Sequence, residues 1–290
     1  MNLIDMTETL HLESPAKVNL RLEILKRRED GYHELRTILQ KISLHDTLHF
    51  FLKKEKGVSI TTDHPKLPVG KDNLVFRAAQ SVLKVSGYKG GIHIEIEKRI
   101  PLGAGLGGGS SNAATTLKAM NQLLKSNLSK KELMEMGLEI GADVPFFFLE
   151  GAAIGLGIGE RLKKIKLPIL YFVLIYPNYE VSTRWAYQNF VLTNQRIHFN
   201  LHKFLKTPEG ISHILFNHLE EVVSRKYPQI DVMKKILLSA GALGSLMTGS
   251  GPTVFGIFPE EKSATEAYER VKKLVGRKGW VVFNTHSITT

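Results

Sequence analysis

The stretch from Pro101 to Ser111 is the most unusual part of the sequence, because five of the seven residues from 103 to 109 are glycine. Each glycine costs backbone entropy on folding, and packing alone would need only one or two of them. Without Cβ atoms, successive N–H groups can converge on phosphate oxygens, and a helix that starts there adds a partial positive charge. We therefore predict a phosphate-binding loop and a helix starting at Ser110 or Ser111, whose hydroxyls can cap it or donate to phosphate or metal-bound water. The residues predicted to bind phosphate are Pro101, Leu102, Gly103, Ala104, Gly105, Leu106, Gly107, Gly108, Gly109, Ser110 and Ser111.

The glycine pattern does not match the best-known phosphate loops. The only Gly-Lys pair, at 70–71, is followed by Asp72 and not by Ser or Thr, which excludes a Walker loop. Gly103, Gly105 and Gly108 satisfy the dinucleotide pattern, but the acid that should follow about 20 residues later would be Glu132, which lies in a capping box at a helix start. The H-R-D and D-F-G elements of protein kinases are absent.

Length and composition limit the classes of protein further. With 290 residues, 43 % of them apolar and 23 % charged, the chain should form one or two ordinary globular domains. It has no cysteine, which excludes disulfide scaffolds, thiol nucleophiles and cysteine-ligated metals. The net charge of +11 favours a polyanionic or phosphorylated partner. No apolar stretch is long enough for a membrane span and the acidic N-terminus is not a secretory signal, so we expect a cytoplasmic protein.

Hydrophobic periodicity predicts the elements that position the loop. Strands are expected at 18–24, 47–52, 58–62, 92–96, 151–159, 171–176, 253–258 and 280–283, and helices at 74–83, 113–124, 129–140, 208–225, 231–239 and 264–274. The first half shows no strict βαβ alternation, which favours an α+β fold. A change of composition near residue 165 predicts two domains, 1–165 and 166–290.

Five motifs in order carry a family resemblance over most of the chain. The loop resembles the central ATP loop of the GHMP kinase superfamily, which includes galactokinase and the homoserine, mevalonate and phosphomevalonate kinases. Residues 14–20, Ser-Pro-Ala-Lys-Val-Asn-Leu, resemble its first motif, and residues 248–253, Thr-Gly-Ser-Gly-Pro-Thr, its third. The segments 31–35 and 141–147 narrow the resemblance to the superfamily members that phosphorylate a cytidine-diphosphate-linked methylerythritol in non-mevalonate isoprenoid synthesis.

This resemblance implies a fold and a reaction. The fold would be a two-domain α+β kinase with an N-terminal ribosomal-S5-like domain, a C-terminal ferredoxin-like domain and the substrates in the cleft between them. The reaction would transfer the γ-phosphoryl group of ATP to the 2-hydroxyl of the acceptor. ATP and Mg²⁺ would be required, although no cluster of ligands in the sequence marks a metal site.

The resemblance also implies the catalytic residues. Asp143 matches the aspartate that takes the hydroxyl proton, although an Asp ahead of Pro145 would also suit a helix N-cap. Lys17 matches the catalytic lysine, whose charge would keep Asp143 ionised. A lysine on the wet face of an edge strand is the alternative. Asn19, on the same strand face as Lys17, resembles a contact to a substrate hydroxyl or phosphate.

A second group of residues resembles a cytidine site. Tyr32 and His33 would supply a ring that stacks on cytosine and an imidazole that reads its edge. Tyr187 would add a second ring, so that the base lies between the two tyrosines, and Thr183 would lie near the ribose or its phosphate. The alternatives are a capped surface turn for Tyr32 and His33, and ordinary helix packing for Tyr187.

Other interpretations remain open at this stage. Gly249–Gly251 should form a tight turn that supports the phosphates, and Lys98 either approaches the nucleotide or is a solvated strand end. Another GHMP kinase, an RNA-binding S5-like protein and an NAD-dependent oxidoreductase are alternative functions. The expected partners are ATP and a small cytidine diphosphate substrate, with no nucleic acid and no membrane, for a monomer or weak homodimer. Residues 1–13 have no assigned function.

Overall fold

The computed structural model describes residues 9–192 and 204–289. The chain forms two compact units, each assembled from separate segments. The first unit contains 45–102, 107–148 and the chain up to Ala16, and the second contains 17–44, 103–106 and the chain from Leu149 onward. The segments of the two units alternate along the chain, so they do not test a single boundary between two domains. The domain boundary expected at residue 165 therefore stays a prediction.

Helices and strands are mixed along the residues that the structure describes, which confirms the α+β class. The strands are β1 (Thr9–Arg27), β2 (His33–Lys53), β3 (Gly57–Thr62), β4 (Gly91–Glu97), β5 (Ala152–Gly157), β6 (Arg161–Ile165), β7 (Tyr171–Tyr176), β8 (Phe216–Asn217), β9 (Gly244–Met247), β10 (Val254–Phe258) and β11 (Val281–His286). The helices are α1 (Leu74–Ser86), α2 (Gly108–Leu123), α3 (Lys130–Ile140), α4 (Thr183–Gln188), α5 (Pro208–His213), α6 (His218–Lys226), α7 (Gln229–Ser239) and α8 (Glu261–Val275), with 3₁₀ segments at Val144–Phe148 and Gly276–Lys278.

Helices and a small sheet pack together in the first unit. The 47–53 part of β2 pairs antiparallel with β4, which in turn pairs parallel with β3. Helices α1, α2 and α3 pack against one another. The predicted stop of α1 at Gly87 is confirmed by its left-handed conformation, and the predicted capping box of Ser129 and Glu132 opens α3. This unit therefore supplies the rigid support for α2.

Two sets of strands build the second unit. The 35–40 part of β2 pairs antiparallel with β5, β5 pairs with β6, and β8 runs parallel to β1. A separate antiparallel sheet has the order β11-β7-β10-β9, and α7 and α8 contact it. This arrangement agrees with the ferredoxin-like half expected from the resemblance. The helix predicted over 208–225 is instead α5 and α6, because Phe216 and Asn217 between them pair with β1.

Strand β1 has two buried faces, one apolar and one polar. The apolar face carries the alternating residues that predict the strand, and the polar face is only 3–4 % exposed at Lys17, Asn19, Arg21 and Glu23. Buried charges need partners. Glu23 accepts hydrogen bonds from Arg21 (2.7 Å) and Arg36. Burial alone would raise the pKa of Glu23, but the hydrogen bonds from Arg36 and Arg21 lower it, so this carboxylate stays charged.

One carboxylate joins the two ends of the glycine-rich loop. Asp46 in β2 is fully buried, and its Oδ1 accepts the backbone N–H groups of Arg99 and Ile100, both at 2.8 Å. Its Oδ2 accepts Lys98 Nζ at 2.7 Å and Asn112 Nδ2 at 3.0 Å. Lys98 to Ile100 precede the loop and Asn112 follows it. Asp46 therefore fixes the points at which the loop leaves β4 and enters α2.

Replacing Asp46 by Asn should destabilise the fold strongly, because it leaves the ammonium of Lys98 buried without its counter-charge. We expect the free energy of unfolding to fall by about 3–5 kcal/mol, measured by urea denaturation. Asp63 is the matched control, since its exposed carboxylate accepts the backbone N–H of Lys98 at 2.9 Å and the hydroxyl of Thr62 at 3.5 Å and forms no buried ion pair. Asp63→Asn should cost ~1 kcal/mol or less. Equal losses in the two variants would contradict the role given to Asp46.

Candidate active site

Helix α2 begins earlier than the sequence analysis predicts. Its first residue is Gly108 and its N-cap is Gly107, which has a φ of 69° and no side-chain cap. The predicted start at Ser110 or Ser111 is therefore wrong, because a left-handed glycine opens the helix within the loop. Both serines lie in the first turn, where Ser111 is fully buried and its hydroxyl accepts a hydrogen bond from Ser14 at 2.8 Å. The first N–H groups of α2 have no side-chain cap and are suited to an anion.

Residue 105 of the loop must be glycine for a steric reason. Gly105 has a φ of 77°, and a Cβ on it would lie 2.3 Å from the carbonyl oxygen of Thr248 and 3.1 Å from the nitrogen of Gly251. No side chain fits this approach. The carbonyl of Leu106 also accepts the backbone N–H of Lys17 at 2.9 Å. The loop and the first and third motifs therefore meet within the second unit.

The predicted tight turn at Gly249–Gly251 is confirmed. Gly249 and Gly251 have φ values of 57° and 78°. A Cβ on Gly249 would lie 2.9 Å from the carbonyl oxygen of Gly105 and 3.3 Å from Lys17 Nζ. The hydroxyls of Thr183 and Ser250 are 2.8 Å apart, so the start of α4 also contacts this turn.

Lys17 is buried, which excludes the alternative of a lysine on a wet strand face. Its side chain is 4 % exposed, and Nζ donates to Asn19 Oδ1 at 2.6 Å. Asn19 in turn donates from Nδ2 to Thr37 Oγ1 at 2.8 Å, and its backbone N–H donates to Thr248 Oγ1 at 2.9 Å. A buried ammonium beside a glycine turn is suited to an anionic ligand.

Asp143 lies in the first unit, directly before the 3₁₀ segment Val144–Phe148. It is half-buried. Two residues earlier, a Cβ on Gly141 would lie 4.0 Å from Ser110 Oγ, which is an ordinary van der Waals distance. The segment that carries Asp143 is thus adjacent to the first turn of α2.

The residues predicted to bind cytidine are partly brought together. The rings of His33 and Tyr187 have centroids 5.4 Å apart and an interplanar angle of 32°, whereas Tyr32 is 59 % exposed. Burial, with a smaller contribution from Arg27, lowers the pKa of His33, so its imidazole is neutral at pH 7. The stacking of a base between Tyr32 and Tyr187 stays a prediction.

Lys98 is not a solvated strand end. Its side chain is 2 % exposed and pairs with Asp46, and burial lowers its pKa although the charge of Asp46 opposes that effect. A Cβ on Gly108 would lie 3.3 Å from its Nζ, which places the ammonium beneath the start of α2. Asp46 and Asn112 cannot be found from the sequence, because no local pattern distinguishes them from other polar residues in a strand or helix.

Residues 9–192 and 204–289 contain no group of three or more His, Asp or Glu side chains that could hold a metal ion. None of their helices has both the length and the apolar character needed to cross a bilayer.

Comparison with known proteins gives a consistent result. The profiles of the GHMP kinases N terminal domain and the GHMP kinases C terminal domain match residues 73–151 and 201–276. A 4-diphosphocytidyl-2-C-methyl-D-erythritol kinase of Syntrophus aciditrophicus is 47 % identical, with 96 % of this chain and 99 % of the relative covered. The protein of the same name from Geobacter sulfurreducens is 46 % identical, with 91 % and 95 % covered.

Solved structures agree with these sequence matches. A crystal structure of 4-(cytidine 5'-diphospho)-2C-methyl-D-erythritol kinase has a TM-score of 0.82 and 33 % identity, and the match covers 97 % of this chain and all of that one. A homoserine kinase from Cytophaga hutchinsonii has a TM-score of 0.74 at 24 % identity over 100 % of this chain and 97 % of its own, which shows a shared fold. The protein is an ATP-dependent small-molecule kinase. The chain belongs to the 4-diphosphocytidyl-2-C-methyl-D-erythritol kinase family of the GHMP kinases.

Proposed function

We propose that this kinase transfers the γ-phosphoryl group of ATP to the 2-hydroxyl of 4-diphosphocytidyl-2-C-methyl-D-erythritol, in non-mevalonate isoprenoid synthesis. The relatives named above carry this acceptor in their names. The observation that best supports the proposal is the approach of Gly141 to Ser110, because it brings the segment of Asp143 to the first turn of α2. A phosphate-binding helix start and a carboxylate are the parts that phosphoryl transfer to an alcohol requires.

The transferred group carries most of its charge on its oxygens, so the protein contributes mainly alignment and electrostatic stabilisation. In our proposal the glycine-rich loop and the N–H groups of the first turn of α2 hold the phosphates of ATP. The ammonium of Lys17 stabilises the negative charge of the phosphoryl group as it moves. Asn19, which accepts a hydrogen bond from Lys17 at 2.6 Å, keeps that ammonium oriented.

Asp143 acts as the base in this proposal. As the new bond forms between phosphorus and the 2-hydroxyl oxygen, the hydroxyl proton passes to the carboxylate and ADP leaves. The exchange needs no covalent enzyme intermediate. The 3₁₀ segment behind Asp143 is fully buried, which keeps the backbone at Asp143 in one position.

Mg²⁺ fits this set of residues as a partner of the nucleotide. A hard cation that binds ATP keeps several waters and needs only one or two protein oxygens. The absence of an acidic cluster in the described parts of the chain is compatible with that mode. The hydroxyl of Ser110 in the first turn of α2 could bind a water of the cation, and the cation would neutralise phosphate charge.

The cytidine end of the acceptor would bind His33 and Tyr187, with Tyr32 closing over the base. A neutral imidazole can donate to or accept from the edge of cytosine, which suits the lowered pKa of His33. Thr183, whose hydroxyl contacts Ser250 at 2.8 Å, would bind the ribose or its phosphate. A cytoplasmic location, a monomeric or weakly dimeric state and the absence of nucleic-acid binding complete the proposal.

Removing the carboxylate of Asp143 or the ammonium of Lys17 should slow phosphoryl transfer and leave the binding of ATP almost unchanged. For Asp143→Asn and Lys17→Met we expect kcat to fall by about 10²- to 10⁴-fold, because proton transfer and charge stabilisation are lost. The Kd of ATP, measured by calorimetry, should change less than about fivefold, since the loop amides remain. Near-normal turnover in both variants would show that the roles are assigned wrongly.

Removing an aromatic ring of the cytidine site should weaken acceptor binding alone. Tyr187→Ala should raise the acceptor KM by about 5- to 150-fold, the equivalent of ~1–3 kcal/mol for a stacked base, and leave the Kd of ATP unchanged. Tyr88→Ala is the control, because Tyr88 lies in the first unit and its hydroxyl contacts only the backbone of Lys53.

The pH dependence tests His33 in the same assay. Because its pKa lies below the ordinary 6.5, the imidazole stays neutral above that pH and gains a proton only as the pH falls further. The acceptor KM should therefore be constant above pH 6.5 and rise below it. In His33→Gln this rise should disappear, and an identical pH profile in the variant would exclude His33 from the site.

A further inference from the structure

The amide of Asn217 connects a helix start to the turn of the third motif. Asn217 is 6 % exposed and is the last residue of β8. Its Oδ1 accepts the backbone N–H of Leu219 at 3.0 Å, which makes it the N-cap of α6. Its Nδ2 donates to two carbonyl oxygens, of Met247 at 2.7 Å and of Gly249 at 2.8 Å.

Capping of α6 explains the hydrogen bond to the side-chain oxygen of Asn217, but it does not explain the two hydrogen bonds that its Nδ2 donates. An N-cap needs one acceptor, which Ser, Thr or Asp supply as well as Asn. The two N–H donors of the amide are not used by α6. Both donors bond to carbonyl oxygens that are 30 and 32 residues away in the sequence, on either side of Thr248. Among the side chains that are good N-caps, only Asn can accept from the helix and donate to two carbonyls at once.

The segment held in this way contacts several residues of the proposed active site. Thr248 Oγ1 accepts the N–H of Asn19, and a Cβ on Gly249 would meet Lys17 Nζ at 3.3 Å. The carbonyl oxygen of Gly105 would be only 2.9 Å from the same Cβ. A shift of the turn by a fraction of an ångström must therefore move Lys17 or the loop.

We propose that Asn217 is a positioning residue for phosphoryl transfer, which holds the Thr248–Gly251 turn against Lys17 and the glycine-rich loop. It touches neither substrate in this role and acts through the turn. Its effect on turnover rests on the function proposed above, whereas its effect on the turn does not.

Two variants distinguish the capping of α6 from the hydrogen bonds that Asn217 donates to the backbone of Met247 and Gly249. Asn217→Asp and Asn217→Ser both keep an oxygen that caps α6. Asp has no donor for the carbonyls of Met247 and Gly249, and Ser keeps at most one O–H in place of the two N–H donors. Asn217→Asp also places a carboxylate against two carbonyl oxygens. Hydrogen exchange of a peptide covering 244–253 should become faster in both variants, and α6 should keep its protection. With ATP and 4-diphosphocytidyl-2-C-methyl-D-erythritol, kcat should fall by about 10- to 100-fold, more for Asp than for Ser.

Ser129→Ala is the control for general destabilisation. It removes the N-cap of α3 in the first unit, and Ser129 has no contact with the turn. This variant should lower Tm without changing kcat or the exchange of 244–253. The proposal is overturned if both Asn217 variants keep wild-type kcat and exchange, or if Ser129→Ala lowers kcat equally at equal Tm. If the wild-type enzyme does not phosphorylate this acceptor, the proposed function fails, and the exchange data still decide the role of Asn217.

Discussion

The rest of the site depends on one close contact between two backbone segments. These segments are Gly105 in the glycine-rich loop and the Thr248–Gly251 turn. A Cβ on Gly105 would lie 2.3 Å from the carbonyl oxygen of Thr248, so the two segments can come this close only because residue 105 is glycine. Lys17 and Asn19 are held by the same segments, through Leu106 on one side and Thr248 on the other. A side chain at this contact would displace the glycine-rich loop and the buried ammonium together.

Buried charge is the second feature that the fold must accommodate. Lys17, Lys98 and Glu23 are each almost fully buried, which costs several kcal/mol per ion unless partners are provided. Lys98 and Glu23 have their partners within the protein, in Asp46 and in the two arginines, and they hold the loop and β1 in place. Lys17 donates a hydrogen bond to the side-chain oxygen of Asn19, and in our proposal its ammonium also binds the transferred phosphoryl group.

The sequence predicts the parts of the site whose chemistry is local. The glycine stretch, the turn at Gly249–Gly251 and the capping box of α3 can be recognised because their backbone conformation depends on neighbouring residues. The predicted start of α2 is wrong, because a left-handed Gly107, and not a serine, is the N-cap. Asp46 and Asn217 could not be found, since their partners lie 52 to 66 and 30 to 32 residues away and only the folded chain brings them together. The paired role proposed for Asp143 and Lys17 rests on the family resemblance, and spacing alone does not reveal it.

The central claim is that the backbone of the glycine-rich loop binds the phosphates of ATP. Its most direct test is to measure the affinity for ATP of two variants, each of which adds one methyl group to the loop. In Gly105→Ala the new methyl overlaps Thr248 at a φ of 77°, whereas in Gly109→Ala it meets only Leu74 Cδ1 at 3.7 Å. Backbone strain of about 1–3 kcal/mol and the overlap should raise the Kd of ATP by about tenfold or more in Gly105→Ala, measured by calorimetry on folded protein. Gly109→Ala should stay within about threefold of wild type. Equal, wild-type affinity in both variants would contradict the account.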